Sequence, residues 1–137
     1  MTAFFDHPHR VMPEEIDELG HAANYHYVRW LQDAAVAHSA AVGWPSERYR
    51  QLGAGWVVRS HQITYLKPAL AGDQLQIRTW VANMKPVLSL RRYEIRNPRG
   101  DLLAKAETNW AFIRYETQKP QRIPPQVATS FEPPAAP

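Results

Sequence analysis

The sequence predicts an α+β domain in which one long α-helix is wrapped by a curved antiparallel β-sheet. Three observations carry this. One Ala-rich segment has helical period, and the segments after it have strand texture and are joined by short connections. The 137 residues also suffice for one hydrophobic core but not for two independent ones.

The elements follow in order. Phe4 to Val11 mixes aromatics and histidines around Pro8 and reads as an edge strand. Met12 to Gly20 is an acidic loop closed by glycine. From Ala22 to Val42 the apolar residues Val28, Leu31, Ala35 and Val42 recur at helical spacing, and Gly43-Trp-Pro45 stops the helix. Ser46 is placed to cap a short second helix running to Gly53.

Trp56 to Leu66 is rich in β-branched and aromatic residues and halts at Lys67-Pro68. Leu75, Ile77, Thr79 and Val81 alternate with Gln74, Gln76, Arg78 and Trp80, as on a half-buried strand. Leu88 to Arg96 and Leu102 to Tyr115 complete the strands, joined by the turn Asn97-Pro-Arg-Gly-Asp101. Hairpin links favour antiparallel pairing, and the lone helix must bury its apolar stripe on that sheet. Half of the 12 prolines lie from Pro120 onward. The expected division is therefore one domain over residues 1–125 and a Pro/Ala-rich tail over 126–137.

Composition narrows the function. With 16 Lys+Arg against 13 Asp+Glu the net charge is +3, but the basic residues are scattered, so nucleic acid is not an expected partner. Cysteine is absent, which excludes disulfides, thiolate metal sites and a cysteine nucleophile. No apolar run approaches the ~20 residues needed to span a bilayer, and the start lacks a signal-peptide pattern, so a cytoplasmic protein without a membrane partner is expected. His7 and His9 share a strand face, but no third ligand follows at suitable spacing, and no metal site is expected.

The chemistry concentrates in Ile16-Asp17-Glu18-Leu19-Gly20-His21-Ala22-Ala23-Asn24-Tyr25, just ahead of the long helix. A helix N-terminus offers unpaired N–H groups and partial positive charge, which polarise a carbonyl or hold an oxyanion. A carboxylate beside it either attacks the polarised carbon or takes a proton from water. The plainer reading is that these acids only cap the helix and complement its dipole. Residue types alone do not single out Asp17 from Glu14, Glu15 or Glu18.

The run Asp17-Glu-Leu-Gly20-His21-Ala-Ala-Asn24-Tyr25-His-Tyr27-Val-Arg-Trp30 resembles the signature of hotdog-fold acyl-CoA thioesterases of the 4-hydroxybenzoyl-CoA thioesterase type. The likeness continues through Ile63-Thr-Tyr65-Leu-Lys-Pro68, Gly72-Asp73-Gln-Leu75, Gly100-Asp-Leu-Leu-Ala104, Glu107-Thr108-Asn-Trp110-Ala-Phe112 and Arg122-Ile-Pro124. It implies the hotdog fold, with Asp17 as the catalytic carboxylate, Asn24 as the helix-start amide bracing the acidic loop, and His21 as a lesser candidate. The oxyanion donors it implies are the backbone N–H groups of Ala22 and Ala23. Many relatives carry two consecutive asparagines where this chain has Ala23-Asn24.

The resemblance further implies cleavage of an acyl-CoA or acyl carrier-protein thioester to free acid and thiol. A thiol leaves readily, so one carboxylate and a helix end suffice and no cofactor is called for. Lys67, Arg91 and Arg92 are candidate contacts for the CoA phosphates. The family pairs its open sheet edges, so a homodimer or a dimer of dimers is expected, with active sites at the subunit boundary. Two other functions are compatible with the fold: a non-catalytic acyl-CoA-binding module, and an acyl-CoA hydratase or dehydratase.

Overall fold

The computed structural model describes residues 3–131. It contains β1 (Phe5–Arg10), α1 (Asn24–Ala41), α2 (Ser46–Leu52), β2 (Ala54–Tyr65), β3 (Gln74–Met84), β4 (Leu88–Arg96), β5 (Leu102–Arg114) and α3 (Pro125–Ala128). The five strands form one sheet in the order β1-β3-β4-β5-β2, with every neighbouring pair antiparallel. The expected α+β hotdog architecture is present, with α1 against one face of the sheet.

The alternation on β3 turns Leu75, Ile77, Thr79 and Val81 inward. On β4 the inward residues are Ser89, Arg91, Tyr93 and Ile95. They pack into two clusters, the first against α1 and the second against the residues that follow it. The first joins Tyr27, Trp30, Leu31 and Ala34 to Leu75, Ile77, Tyr93, Ile95 and Leu103. The second joins Trp44, Tyr49, Val81, Phe112, Ile123, Val127 and Phe131. Each fully buried aliphatic or aromatic side chain contributes about 1.5–3 kcal/mol, so these clusters supply most of the force folding the sheet around α1.

Several boundaries differ from the sequence reading. Helix α1 starts at Asn24, two residues late, because Ala22 and Ala23 are still engaged in the loop before it. Ser46 is the first residue of α2 and Pro45 its N-cap, so the serine does not cap. Gly53 closes α2 at φ +79, a conformation costly for any side chain. Strand β3 runs on to Met84 past a bulge between Val81 and Asn83. The packed body extends to Phe131 rather than stopping near residue 125. Val127 and Phe131 are buried in the second cluster, because α3 folds back over the end of α1. The run Pro133 to Pro137 expected as a tail lies outside the described residues. Among the described residues no helix is long and apolar enough to cross a membrane.

Candidate active site

The acidic loop is a small hairpin feeding directly into α1. Ala23 N–H donates to the Glu15 carbonyl at 2.9 Å, Ile16 bridges Ala22, and Asp17 N–H donates to the His21 carbonyl at 2.8 Å. Gly20 closes the tip at φ +81, and its N–H donates to the Asp17 carbonyl at 3.0 Å. The Asp17 carboxylate locks its own turn, since Oδ1 accepts the Leu19 N–H at 2.9 Å and the His21 N–H at 3.3 Å. Among the described residues no donor reaches Oδ2.

Asp17 therefore does not cap α1. The N-cap is Ala23, which has no side chain able to do so. Ala22 N–H donates to the Ala69 carbonyl at 2.9 Å, and Ala23 N–H is held by Glu15 as described. These two amides are engaged in the fold, so the expectation that they are the oxyanion donors is corrected. The open N–H groups belong to the next two residues, Asn24 and Tyr25, which begin the helix.

Glu15 supplies the bracing that the sequence reading gave to Asn24. Its Oε2 accepts the Trp30 indole N–H at 2.7 Å, and Oε1 accepts the Met12 N–H and a His9 ring Nε2–H, both at 2.9 Å. Burial pushes this carboxyl up, but the Met12, Trp30 and His9 donors outweigh it and hold Glu15 below its ordinary value. The His9 ring also packs at a tilt against Trp30, with ring centroids 4.8 Å apart. The Asn24 side chain is exposed and makes no hydrogen bond to the loop among the described residues. His21 is also exposed, at the edge of the same hairpin. Of the four acids, Glu15 is committed to the loop, Glu14 and Glu18 are exposed, and Asp17 is half-buried on the hairpin that leads into α1. Tyr65, at the end of β2, reaches this corner by donating to the Asn24 carbonyl at 3.4 Å.

The three basic candidates are not brought together. Lys67 is exposed and 3.7 Å from Asp101. Arg92 lies on the outer face of the sheet, lining a shallow hollow with Glu107, Lys105 and Trp80. Arg91 is buried on the inner face, where its Nη1 lies 2.8 Å from His38 Nδ1 and 3.1 Å from Thr79 Oγ1. A guanidinium inside the core is not a surface contact for CoA phosphates, which corrects that expectation. His38 is driven down to about 4 by burial, with the Arg91 charge adding to the effect, so it is neutral at pH 7 and accepts from Arg91. His61 is held by Thr108 at 2.8 Å.

A cavity of about 280 Å³ opens beside Arg91, between the C-terminal half of α1, α2 and the sheet. Its walls include Trp44, Tyr49, Trp56, Val81 and Phe131. Sequence reasoning missed this pocket because its walls come from several separate segments of chain.

The chain is similar to known thioesterases. The family model of the acyl-ACP thioesterase N-terminal domain matches residues 2–131. A Bacillus subtilis protein named as an acyl-CoA thioesterase, YneP, is 26% identical over 106 residues, covering 77% of this chain and 77% of its own. The chloroplastic acyl-(acyl-carrier-protein) hydrolase FATB2 of Cuphea viscosissima is 26% identical over 110 residues, 75% of this chain but 27% of its own length. The fold matches that of Slr0204, a 1,4-dihydroxy-2-naphthoyl-CoA thioesterase from Synechocystis, at TM-score 0.85 and 18% identity, over 93% of this chain and 95% of the other. Because that family model spans nearly the whole chain, the chain belongs to the acyl-ACP thioesterase family and is a thioesterase of hotdog fold.

Proposed function

We propose that this enzyme hydrolyses acyl-CoA thioesters to the free acid and CoA, with Asp17 as the reacting carboxylate and the Asn24 and Tyr25 N–H groups as the oxyanion site. The observation that carries this reading is the pairing of an uncapped helix start with a carboxylate whose Oδ2 is unengaged. The thioester carbonyl oxygen lies against the first-turn amides, where charge developing on it is stabilised. Asp17 either adds to the carbonyl carbon, expelling the thiolate and leaving a mixed anhydride that water cleaves, or takes a proton from the water that adds. In both routes the C–S bond breaks, a C–O bond to water oxygen forms, and the thiolate leaves with a proton.

The working unit of this proposal is a homodimer joined through β2. That strand is twelve residues long and borders the sheet, with a free edge. Apolar side chains are exposed at its end, Leu66 at 49% and Tyr65 at 42%, and on α1, Val36 at 54%. Such an edge is normally covered. Antiparallel pairing of two β2 strands sets Trp56 of one copy beside the Tyr65 end of the other. The cavity of each subunit then adjoins the Asp17–Asn24 corner of its partner. Within one chain, Ala35 and Ser39 at the cavity lie roughly 16–22 Å along α1 from Asn24, so the pocket serves the partner's site.

The test is CoA release from a panel of acyl-CoAs, followed with a thiol reagent. Asp17→Asn keeps an oxygen acceptor for the Leu19 amide, so it is expected to fold normally while losing at least about a hundredfold in turnover. Near-normal hydrolysis by that variant removes the assignment. Single turnover in ¹⁸O-water tests the anhydride route, since label enters Asp17 only when an anhydride forms and water opens it at the aspartyl carbon. The family's name points equally to carrier-protein thioesters, and a direct comparison of the two donors decides between them.

A further inference from the structure

Arg91 is a charge without a counter-charge. It is 5% exposed, yet no carboxylate among the described residues pairs with it. Its partners are a neutral imidazole and a hydroxyl, both at Nη1, with the Phe131 ring 5.8 Å from Cζ. Hydrogen bonds among the described residues leave Nε and Nη2 unengaged. A guanidinium keeps its proton even when buried, so the desolvation cost cannot be escaped by neutralisation.

Several other polar groups of the pocket are matched, although the Trp110 indole N–H is buried without a partner. Ser39 Oγ donates to the Trp44 carbonyl at 2.7 Å and meets Tyr49 Oη at 2.8 Å, while the Trp56 indole N–H donates to Tyr49 Oη at 3.0 Å. The rest of the lining is mostly aromatic and aliphatic, with Ser46, Ser89 and the exposed Arg50 at its polar positions. The cavity is thus a largely apolar chamber in which Arg91 is the buried positive fork.

We propose that this chamber receives the acyl group of the substrate and that Arg91 binds a carboxylate at the far end of that group. The preferred substrates are then CoA thioesters of dicarboxylic acids. The apolar walls take the methylene chain or ring, and the fork takes the terminal carboxylate through its free N–H groups. Arg91 is here a specificity-determining residue and takes no part in bond cleavage. The route of the acyl group into the chamber rests on the thioesterase reading above; the affinity of the chamber for a carboxylate does not.

Two experiments test it separately. In the first, succinyl-, adipoyl- and sebacoyl-CoA are compared with butyryl-, hexanoyl- and decanoyl-CoA. At the best-fitting length the acid-ended ester is expected to exceed its neutral partner in kcat/KM by about tenfold or more, and Arg91→Met is expected to abolish that ratio. A wild-type preference for the neutral esters at every length overturns the proposal, as does a ratio that survives Arg91→Met. In the second, the wild-type protein is melted with hexanoate or with hexanamide, which has the same shape without the charge. Only hexanoate is expected to raise Tm. Equal effects, or none, overturn the proposal even if Arg91→Met fails to fold. Stabilisation by hexanoate in a protein that cleaves no thioester removes the proposed function and leaves the carboxylate site standing.

Discussion

Trp30 donates its indole N–H to Glu15 at 2.7 Å, tying the buried face of α1 to the loop that carries Asp17. The bond joins a core side chain to the loop of the proposed catalytic carboxylate, so loop geometry is held with the strength of the core. Replacing Glu15 by Ala strands the Trp30 and Met12 donors in a half-dry site. The expected cost is about 2–4 kcal/mol by urea denaturation, because buried donors are left unpaired. Turnover should fall at least about tenfold in protein that remains folded, with kcat more affected than KM.

Asn24→Pro isolates the backbone donor. Proline is tolerated at the first helical position, and the preceding Ala23 is already extended at φ −67, ψ 141. The variant should fold with Tm nearly unchanged and lose about a hundredfold or more in kcat. Asn24→Ala keeps the N–H and should stay near wild type. If the two variants behave alike, the side chain rather than the amide carries the effect.

His38 makes stability depend on pH. Its folded-state value is about 4 against 6.5 when unfolded, mainly through burial. Between those values the unfolded chain binds a proton that the folded chain does not, so stability falls as pH drops from 6.5 towards 4. The expected loss between pH 7 and pH 5 is roughly 2 kcal/mol from this residue. His7 and His61, also lowered by burial, act in the same direction. Denaturant titrations at the two pH values check this, and His38→Gln should shrink the difference.

Val36→Asp tests the dimer. Val36 is exposed on α1 and lines the mouth of the cavity. A charge there should leave the monomer's fold intact, convert dimer to monomer in sedimentation, and lower turnover in parallel. A variant that stays dimeric places the interface elsewhere.

Phe131→Ala checks the C-terminal packing. The ring is buried against His38 and beside Arg91, with centroids 5.4 Å apart in the first pair. Removal should cost about 3 kcal/mol, measured by denaturation.

The fold was legible because its signals are local. The period of α1, the alternation on β3 and the Asn97–Gly100 turn each follow from short stretches of residue types. The site was legible in outline only. The segment from Asp17 to Tyr25 is contiguous, so its position before the helix could be read, but that Glu15 is committed to the fold depends on Trp30 and His9 reaching it from other elements. Arg91 was harder. On β4, Leu88 and Leu90 argue for one face while Tyr93 and Ile95 argue for the other, so the pattern does not decide whether Arg91 or Arg92 turns inward. The pairing of β3 with β4 decides it. The burial of Val127 and Phe131 was hidden by the prolines around them, which suggested an extended tail.

The separation of the core into two clusters sets what the enzyme can change without losing its chemistry. The Trp30 cluster anchors the Asp17 loop, while the Trp44 cluster forms the chamber wall, and they share no buried side chain. Enlarging or reshaping Phe131, Val81 or Trp56 alters which chains fit the proposed acyl chamber and leaves the support of the proposed reacting carboxylate untouched. A lineage built on this plan is free to drift in diet while its cutting edge stays fixed.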